Sequence, residues 1–187
     1  GEPLVPTEAD QIVQGIMDQG RYVIICTNAL LLPKFLDKVK PSPYLSFAIH
    51  LDGLEKTHDY VTQRPGCFKK AIEASKMALD RGYRVNCNTT VFAESNIDEI
   101  AELFRHIKED LGFHGIITSP GYDFDQTGTD FFLKRQQVID RFKKLADGAV
   151  PLIAAAYEPS MKLVRALVRA GAHDVVPLPL DPEELET

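Results

Sequence analysis

The stretch "SFAIHLDGLEKTHD", residues 46–59, places polar residues directly after a short apolar run. A run of this length, closed by Asp-Gly, is typical of a buried strand that ends in a turn. His50 and Asp52 stand at that end. Because ligands of parallel α/β folds meet the carboxyl ends of strands, the stretch predicts either a ligand-binding edge or a plain Asp-Gly turn.

Outward from this stretch, the chain repeats one strand-then-helix unit. The strand-like runs lie at residues 22–27, 45–50, 84–92, 115–119, 151–157 and 174–178. Each is followed by apolar residues at helical spacing, which predicts an α/β fold of about six parallel strands alternating with helices. We expect one α/β domain over residues 1–187. The alternation fits both a partial (βα) barrel and an open flavodoxin-like sheet, and spacing alone does not choose between them.

Composition narrows the classes of partner. With 187 residues and 44% apolar content, the chain is long enough to bury a core. A net charge of -6, without long runs of one sign, gives no reason to expect nucleic-acid binding. The sequence also lacks an apolar run of about 18 residues and a signal-peptide pattern. We therefore expect a soluble, cytoplasmic protein without a membrane partner, in which exposed sheet edges favour homo-oligomers.

The cysteines argue against a metal site. Cys26, Cys67 and Cys87 are far apart, so the sequence contains no CxxC or CxxxCxxC spacing. Free cysteines are among the most buried residue types, and we expect all three to fill apolar space. No Ser-His-Asp or Cys-His order with usable spacing is present either, and we predict no catalytic residue.

The residues at the predicted strand ends have two readings each. The Asp52 carboxylate accepts hydrogen bonds from a ribose hydroxyl pair, or it bonds its own turn. The His50 ring donates to a ligand, or it is an ordinary core histidine. Asn88 and Ser119, at the ends of two later strands, contact a base edge or simply end the ladder.

His58 and Asp59 allow a similar choice. They orient one another, or they form a helix start with a solvated ring. Downstream, the stretch from Pro120 to Thr129 is rich in Gly, Asp and Thr, and it is the longest loop that the pattern predicts. Loops of this kind are disproportionately functional.

Five stretches carry a family resemblance in the order of the chain. They are "GEPL", "YVIICTNALLLPKFLDKVKPSPY", "HLDGLEKTHD", "RGYRVNCNTTVF" and "GIITSPGY". From residue 1 to about 135 the chain resembles the radical S-adenosylmethionine (SAM) enzymes, and among them the adenosylhopane synthases of hopanoid biosynthesis. The resemblance implies cofactor-binding roles, with the methionine amino group at Gly1, Glu2 and Pro3, the ribose at His50 and Asp52, and the adenine between Asn88 and Ser119.

One family feature has no counterpart in this sequence. The CxxxCxxC loop, whose thiolates hold a [4Fe–4S] cluster, precedes Gly-Glu-Pro in the family. Without three thiolates no cluster is held, and reductive cleavage of SAM has no electron source. We therefore expect no [4Fe–4S] cluster, and residual binding of S-adenosylmethionine or adenosine at most.

The tail carries a second resemblance. The stretch "PLIAAAYEPSMKLVRALVRAGAHDVVPLPLDPEEL" resembles the end of a degenerate response-regulator receiver domain, a flavodoxin-like fold. The two phosphate-sensing positions of receivers read Ala156 and Leu178, so phosphotransfer is not expected. Together the resemblances predict a non-catalytic scaffold, an engineered or recombined chimera of residues 1–135 and 136–187. The alternatives are a fragment of a hopanoid radical SAM adenosyltransferase that retains SAM binding, and a small-molecule binder.

Overall fold

The structure, a computed structural model, contains six strands and seven α-helices among the residues that it describes. Those residues are 1–121, 132–133, 135–146, 153–157, 160–169 and 171–178. The strands are β1 Val23–Thr27, β2 Leu45–His50, β3 Arg84–Val91, β4 Gly115–Pro120, β5 Ile153–Tyr157 and β6 Asp174–Leu178. The helices are α1 Ala9–Met17, α2 Leu32–Leu36, α3 Glu55–Val61, α4 Cys67–Asp80, α5 Ile97–Arg105, α6 Arg135–Ala146 and α7 Met161–Arg169, with a π-helical turn over His106–Asp110. The predicted α/β class, with parallel strands alternating with helices, is confirmed.

Strand order decides between the two architectures that the sequence left open. Four strands form one parallel sheet in the order β1-β2-β3-β4, so each new strand adds to the same edge. In an open flavodoxin-like sheet the strand order reverses, so that later strands add to the opposite edge of the sheet. In a (βα) barrel every new strand adds to the same edge. This sheet is therefore a partial barrel. The expected six strands do not form one sheet in the described residues, because β5 and β6 pair only with each other.

The four-stranded sheet has one buried face and one polar face. Side chains alternate along each strand, and on β2 and β3 one set, which includes Phe47, Ile49 and Val85, is fully buried. The residues between them in sequence carry the polar groups. His50 on β2 is in register with Asn88 on β3, so both lie on the second face.

Helix α3 is joined to α4 by the side chain of Asp59. The Asp59 carboxylate accepts hydrogen bonds from the backbone N–H groups of Gly66, at 2.5 Å, and Phe68, at 2.9 Å. Gly66 has a φ of 76°, which a glycine adopts at no steric cost. The two N–H donors, with burial opposing them, lower the pKa of Asp59. Asp59 therefore fixes the start of α4 and does not orient His58.

The described chain divides into two compact units. The first consists of residues 1–91 and 102–121 and holds the four-stranded sheet. The second consists of residues 92–101 and 122–187, and its described part holds β5, β6, α6 and α7. Inside the second unit, Arg141 on α6 donates to the carbonyls of Ser95, at 2.6 Å, and Ala93. None of the described helices has the length and apolar character needed to cross a membrane.

Candidate functional site

The candidate site is the carboxyl edge of the four-stranded sheet, meaning the ends of β1 to β4 and the residues that directly follow them. Register brings the sequence-predicted residues together there. His50 lies beside Asn88. Two residues further along β3, Thr90 pairs with Ser119 of β4. The predicted loop from Pro120 to Thr129 falls, beyond Gly121, outside the described residues.

Glu2 anchors the N-terminal Gly1–Pro3 segment to the end of β1. Its Oε1 accepts from the Thr27 hydroxyl at 2.7 Å, and its Oε2 accepts from the backbone N–H of Asn28 at 2.9 Å. The backbone N–H of Leu4 also donates to Oε1, at 3.2 Å. Both oxygens therefore have partners within the protein, and Glu2 acts on the site by positioning the segment. Sequence reasoning missed this use of Thr27, because the two residues are 25 positions apart.

At the end of β2, His50 and Asp52 form an ion pair. His50 Nε2 lies 2.7 Å from Asp52 Oδ2, and the side chains are 37% and 7% exposed, respectively. The second carboxylate oxygen lies 3.5 Å from the backbone N–H of Thr90. The hydrogen bond that the His50 ring donates to Asp52 raises the pKa of His50, although burial opposes it. The ring of His50 is thus the accessible group of the pair, and Asp52, the first choice for ligand contact from sequence, is nearly covered.

His58 lies on the buried side of this pair, with its ring centroid 6.3 Å from that of His50. Its side chain is 1% exposed, and its Nδ1 accepts a hydrogen bond from the backbone N–H of Asp52 at 3.2 Å. Burial lowers its pKa, so the neutral ring is favoured. The expectation of a solvated ring is wrong. The local pattern did not predict this burial, because His58 meets its partner only when α3 packs against the end of β2.

We expect the two histidines to titrate on opposite sides of 6.5, the ordinary value for both. The pKa of His50 is raised, so its contribution to stability is present below 6.5 and is lost as pH rises through its folded pKa. The pKa of His58 is lowered, so its contribution is present above 6.5 and is lost as pH falls through its folded pKa. NMR titration of the ring C–H resonances measures both midpoints. Equal midpoints, or the reverse order, would contradict the observed pairing.

Asn88 and Ser119 complete the set of polar groups on the carboxyl edge. Both are half-buried, and within the described part of the chain neither the amide nor the hydroxyl has a hydrogen-bond partner. Nδ1 of His50 likewise has no partner there. Hydroxyl, amide and imidazole groups suit a ligand that carries hydroxyls and a heterocyclic base. The donor set therefore fits the adenosine part of S-adenosylmethionine.

The cysteines do not fit an iron–sulfur cluster. Cys67 and Cys87 are buried, and Cys26 is exposed on β1. Burial raises the pKa of the Cys87 thiol to about 12, which disfavours the thiolate that a metal requires. Among the described residues, no three His, Cys, Asp or Glu side chains are grouped to hold a metal ion. These cysteines therefore do not suit the thiolate ligation that an iron–sulfur cluster requires.

The fold and the polar edge define the class of protein, a partial (βα) barrel with polar side chains at the carboxyl ends of its strands. The sequence model of the Radical SAM superfamily matches residues 1–107. The chain therefore belongs to the radical SAM superfamily.

The chain also resembles known proteins in sequence and solved structures in fold. The chain is 26% identical over 149 residues to the GTP 3',8-cyclase of Alkaliphilus oremlandii, an alignment that covers 78% of this chain and 47% of that protein. It is 29% identical over 110 residues to the GTP 3',8-cyclase of Synechocystis sp., covering 58% and 33%. The chain thus spans about half, or less, of the length of these relatives. Two solved structures have a similar fold. TYW1 with a lysine-pyruvate adduct aligns with 79% of this chain and 47% of its own, at 17% identity and a TM-score of 0.59. Methylornithine synthase (PylB) aligns with 96% of this chain and 54% of its own, at 17% identity and a TM-score of 0.56.

These comparisons correct the function expected from sequence. The non-catalytic chimera is wrong, because the chain matches the radical SAM superfamily and the PylB fold aligns with 96% of it, across the supposed junction near residue 135. The similarity of the C-terminal strands to a receiver reflects the βα unit that many α/β folds share. The two relatives described above are GTP 3',8-cyclases, and they give no support to a hopanoid enzyme. The expectation of a radical SAM fragment describes the chain better.

Proposed function

We propose that this chain is the SAM-binding portion of a radical SAM enzyme and that its carboxyl edge binds the adenosine part of S-adenosylmethionine. The observation that carries the proposal is the His50–Asp52 pair at a strand end. Its two side chains are 2.7 Å apart, and the His50 ring is partly exposed to solvent while Asp52 is nearly covered. A protonated imidazole held by a carboxylate is an oriented donor for an oxygen-rich ligand.

Each group on the edge has a role in this proposal. Asp52 holds the His50 ring through Nε2, which leaves Nδ1–H to donate to a ribose oxygen. The unpaired Asn88 amide and Ser119 hydroxyl are available for the edge of the base. The Gly1–Pro3 segment, anchored by Glu2, flanks the end of β1 and is placed to meet the methionine part. When bound, SAM supplies the adenosyl group on which the superfamily's chemistry depends.

The relatives suggest the substrate of the whole enzyme. Two GTP 3',8-cyclases align with this chain at 26% and 29% identity, and the Caenorhabditis elegans molybdenum cofactor biosynthesis protein moc-5 aligns over 160 residues at 26%. We propose a purine nucleotide of the GTP class as the substrate. Calorimetric titration of the chain with GTP in the presence of SAM tests this, with CTP as the matched control; CTP binding as tightly as GTP would contradict it.

Calorimetric titration with adenosine tests the SAM-binding proposal directly. We expect the 187-residue chain to bind adenosine with a Kd below about 1 mM, corresponding to roughly -4 kcal/mol. Cytidine is the matched control, because it keeps the ribose but changes the base, and it should bind more weakly. A Kd for adenosine above about 1 mM would remove the support for a nucleoside site.

A further inference from the structure

We propose that His58 is a positioning residue for the nucleoside site, because its neutral ring fixes the backbone of Asp52 and thereby holds the His50 ring toward the ligand. The inference rests on the proposed adenosine site, but its first step concerns only contacts inside the protein. Three residues form the series, from the buried His58 of α3 through Asp52 to the partly exposed His50 at the end of β2.

The first link is the hydrogen bond from the backbone N–H of Asp52 to Nδ1 of His58, at 3.2 Å. Only a neutral ring with its proton on Nε2 accepts at Nδ1. The groups that face His58 are the Asp52 and Asp59 carboxylates and the His50 ring, while burial opposes protonation most strongly. The His58 ring therefore remains an acceptor as long as it stays buried.

The second link is the ion pair between Asp52 and His50, at 2.7 Å. The Asp52 side chain reaches His50 only while its backbone keeps the orientation that His58 sets. If the N–H of Asp52 loses its buried acceptor, the turn rotates to find another partner. The carboxylate then moves from His50 Nε2, and the ring loses its fixed orientation.

The other nitrogen of His58 supports a specific role. Nε2 is buried and has no hydrogen-bond partner among the described residues, and the ring packs against Phe68 with centroids 6.0 Å apart. An apolar side chain would fill this space without an unpaired polar atom. Nδ1 is therefore the nitrogen that gives histidine an advantage at this position.

The test compares variants that keep or remove the acceptor at the Nδ1 position. The amide of His58→Asn overlaps Nδ1, whereas the amide of His58→Gln reaches the Nε2 position, and His58→Leu has no acceptor. In His58→Leu and His58→Gln, we expect NMR titration to show the pKa of His50 returning toward 6.5, its ordinary value. We also expect adenosine to bind about tenfold more weakly, and His58→Asn to bind within about twofold of the parent chain.

A matched control lies at the other end of β3. Nδ1 of His114 accepts from the backbone N–H of Val85 at 3.2 Å, so His114→Leu removes the same kind of bond away from the site. It should leave the His50 titration and the adenosine affinity unchanged. If His58→Leu is unfolded, the Asn and Gln variants still decide the outcome.

Two results separate the two proposals. A raised His50 pKa that persists in both His58→Gln and His58→Leu overturns the positioning role, whatever adenosine does. If adenosine fails to bind the parent chain while His50 still loses its raised pKa in the variants, the internal coupling holds. The nucleoside site of the proposed function is then the part that fails.

Discussion

Phe47→Ala is expected to lower the free energy of unfolding by about 3–5 kcal/mol, the range for truncating a buried phenylalanine. Phe47 is fully buried in β2, and its ring centroid lies 6.0 Å from that of Phe35 and 5.6 Å from that of Tyr83. The Tyr83 hydroxyl donates to the carbonyl of Leu36 at 3.2 Å, which ties the aromatic cluster to the end of α2. Removing Phe47 leaves a cavity that these anchored rings do not fill.

Urea unfolding followed by circular dichroism measures this loss. Tyr60→Ala is the control, because Tyr60 is an aromatic residue on α3 that is 83% exposed. Its removal should change the free energy of unfolding by less than about 0.5 kcal/mol. A loss for Phe47→Ala no larger than that of Tyr60→Ala would show that this cluster is not the core of the first unit.

Asp52→Asn is expected to weaken adenosine binding about tenfold between pH 6.5 and the raised pKa of His50. The substitution preserves shape but removes the carboxylate, whose hydrogen bond and charge raise the pKa of His50. The ring is then mostly neutral, and its hydrogen bond to the ligand drops from about 1.5–3 kcal/mol to about 0.5–1.5 kcal/mol. A difference of about 1.4 kcal/mol corresponds to a factor of ten in Kd.

Calorimetry at several pH values distinguishes this mechanism from simple loss of the fold. The parent chain should bind adenosine most tightly below the raised pKa of His50, and the affinity of Asp52→Asn should approach that of the parent as pH rises above it. Asp37→Asn is the control, because Asp37 is an exposed acid paired with Arg81 at 2.7 Å on the surface. Equal affinities of Asp52→Asn and the parent chain at every pH would exclude Asp52 from the site.

Several features of the edge could be predicted from the sequence because they depend on local order. The run ending in His50 and Asp52 indicated a strand that stops at a polar turn, and β2 ends at His50 as expected. Parallel alternation then placed Asn88 and Ser119 at the same edge of the sheet. The roles of Glu2 and His58 were not predictable in this way, because each depends on a partner brought near only by folding.

The sequence by itself determined that the chain is α/β and which side chains follow the ends of its strands, because side-chain periodicity and turn residues act over a few positions. Only the tertiary structure decided that the four-stranded sheet continues in one direction as a partial barrel. It also decided that Asp52 is covered while His50 remains open. Strand order and burial arise from contacts between residues far apart in the chain, and the local sequence pattern does not predict such contacts.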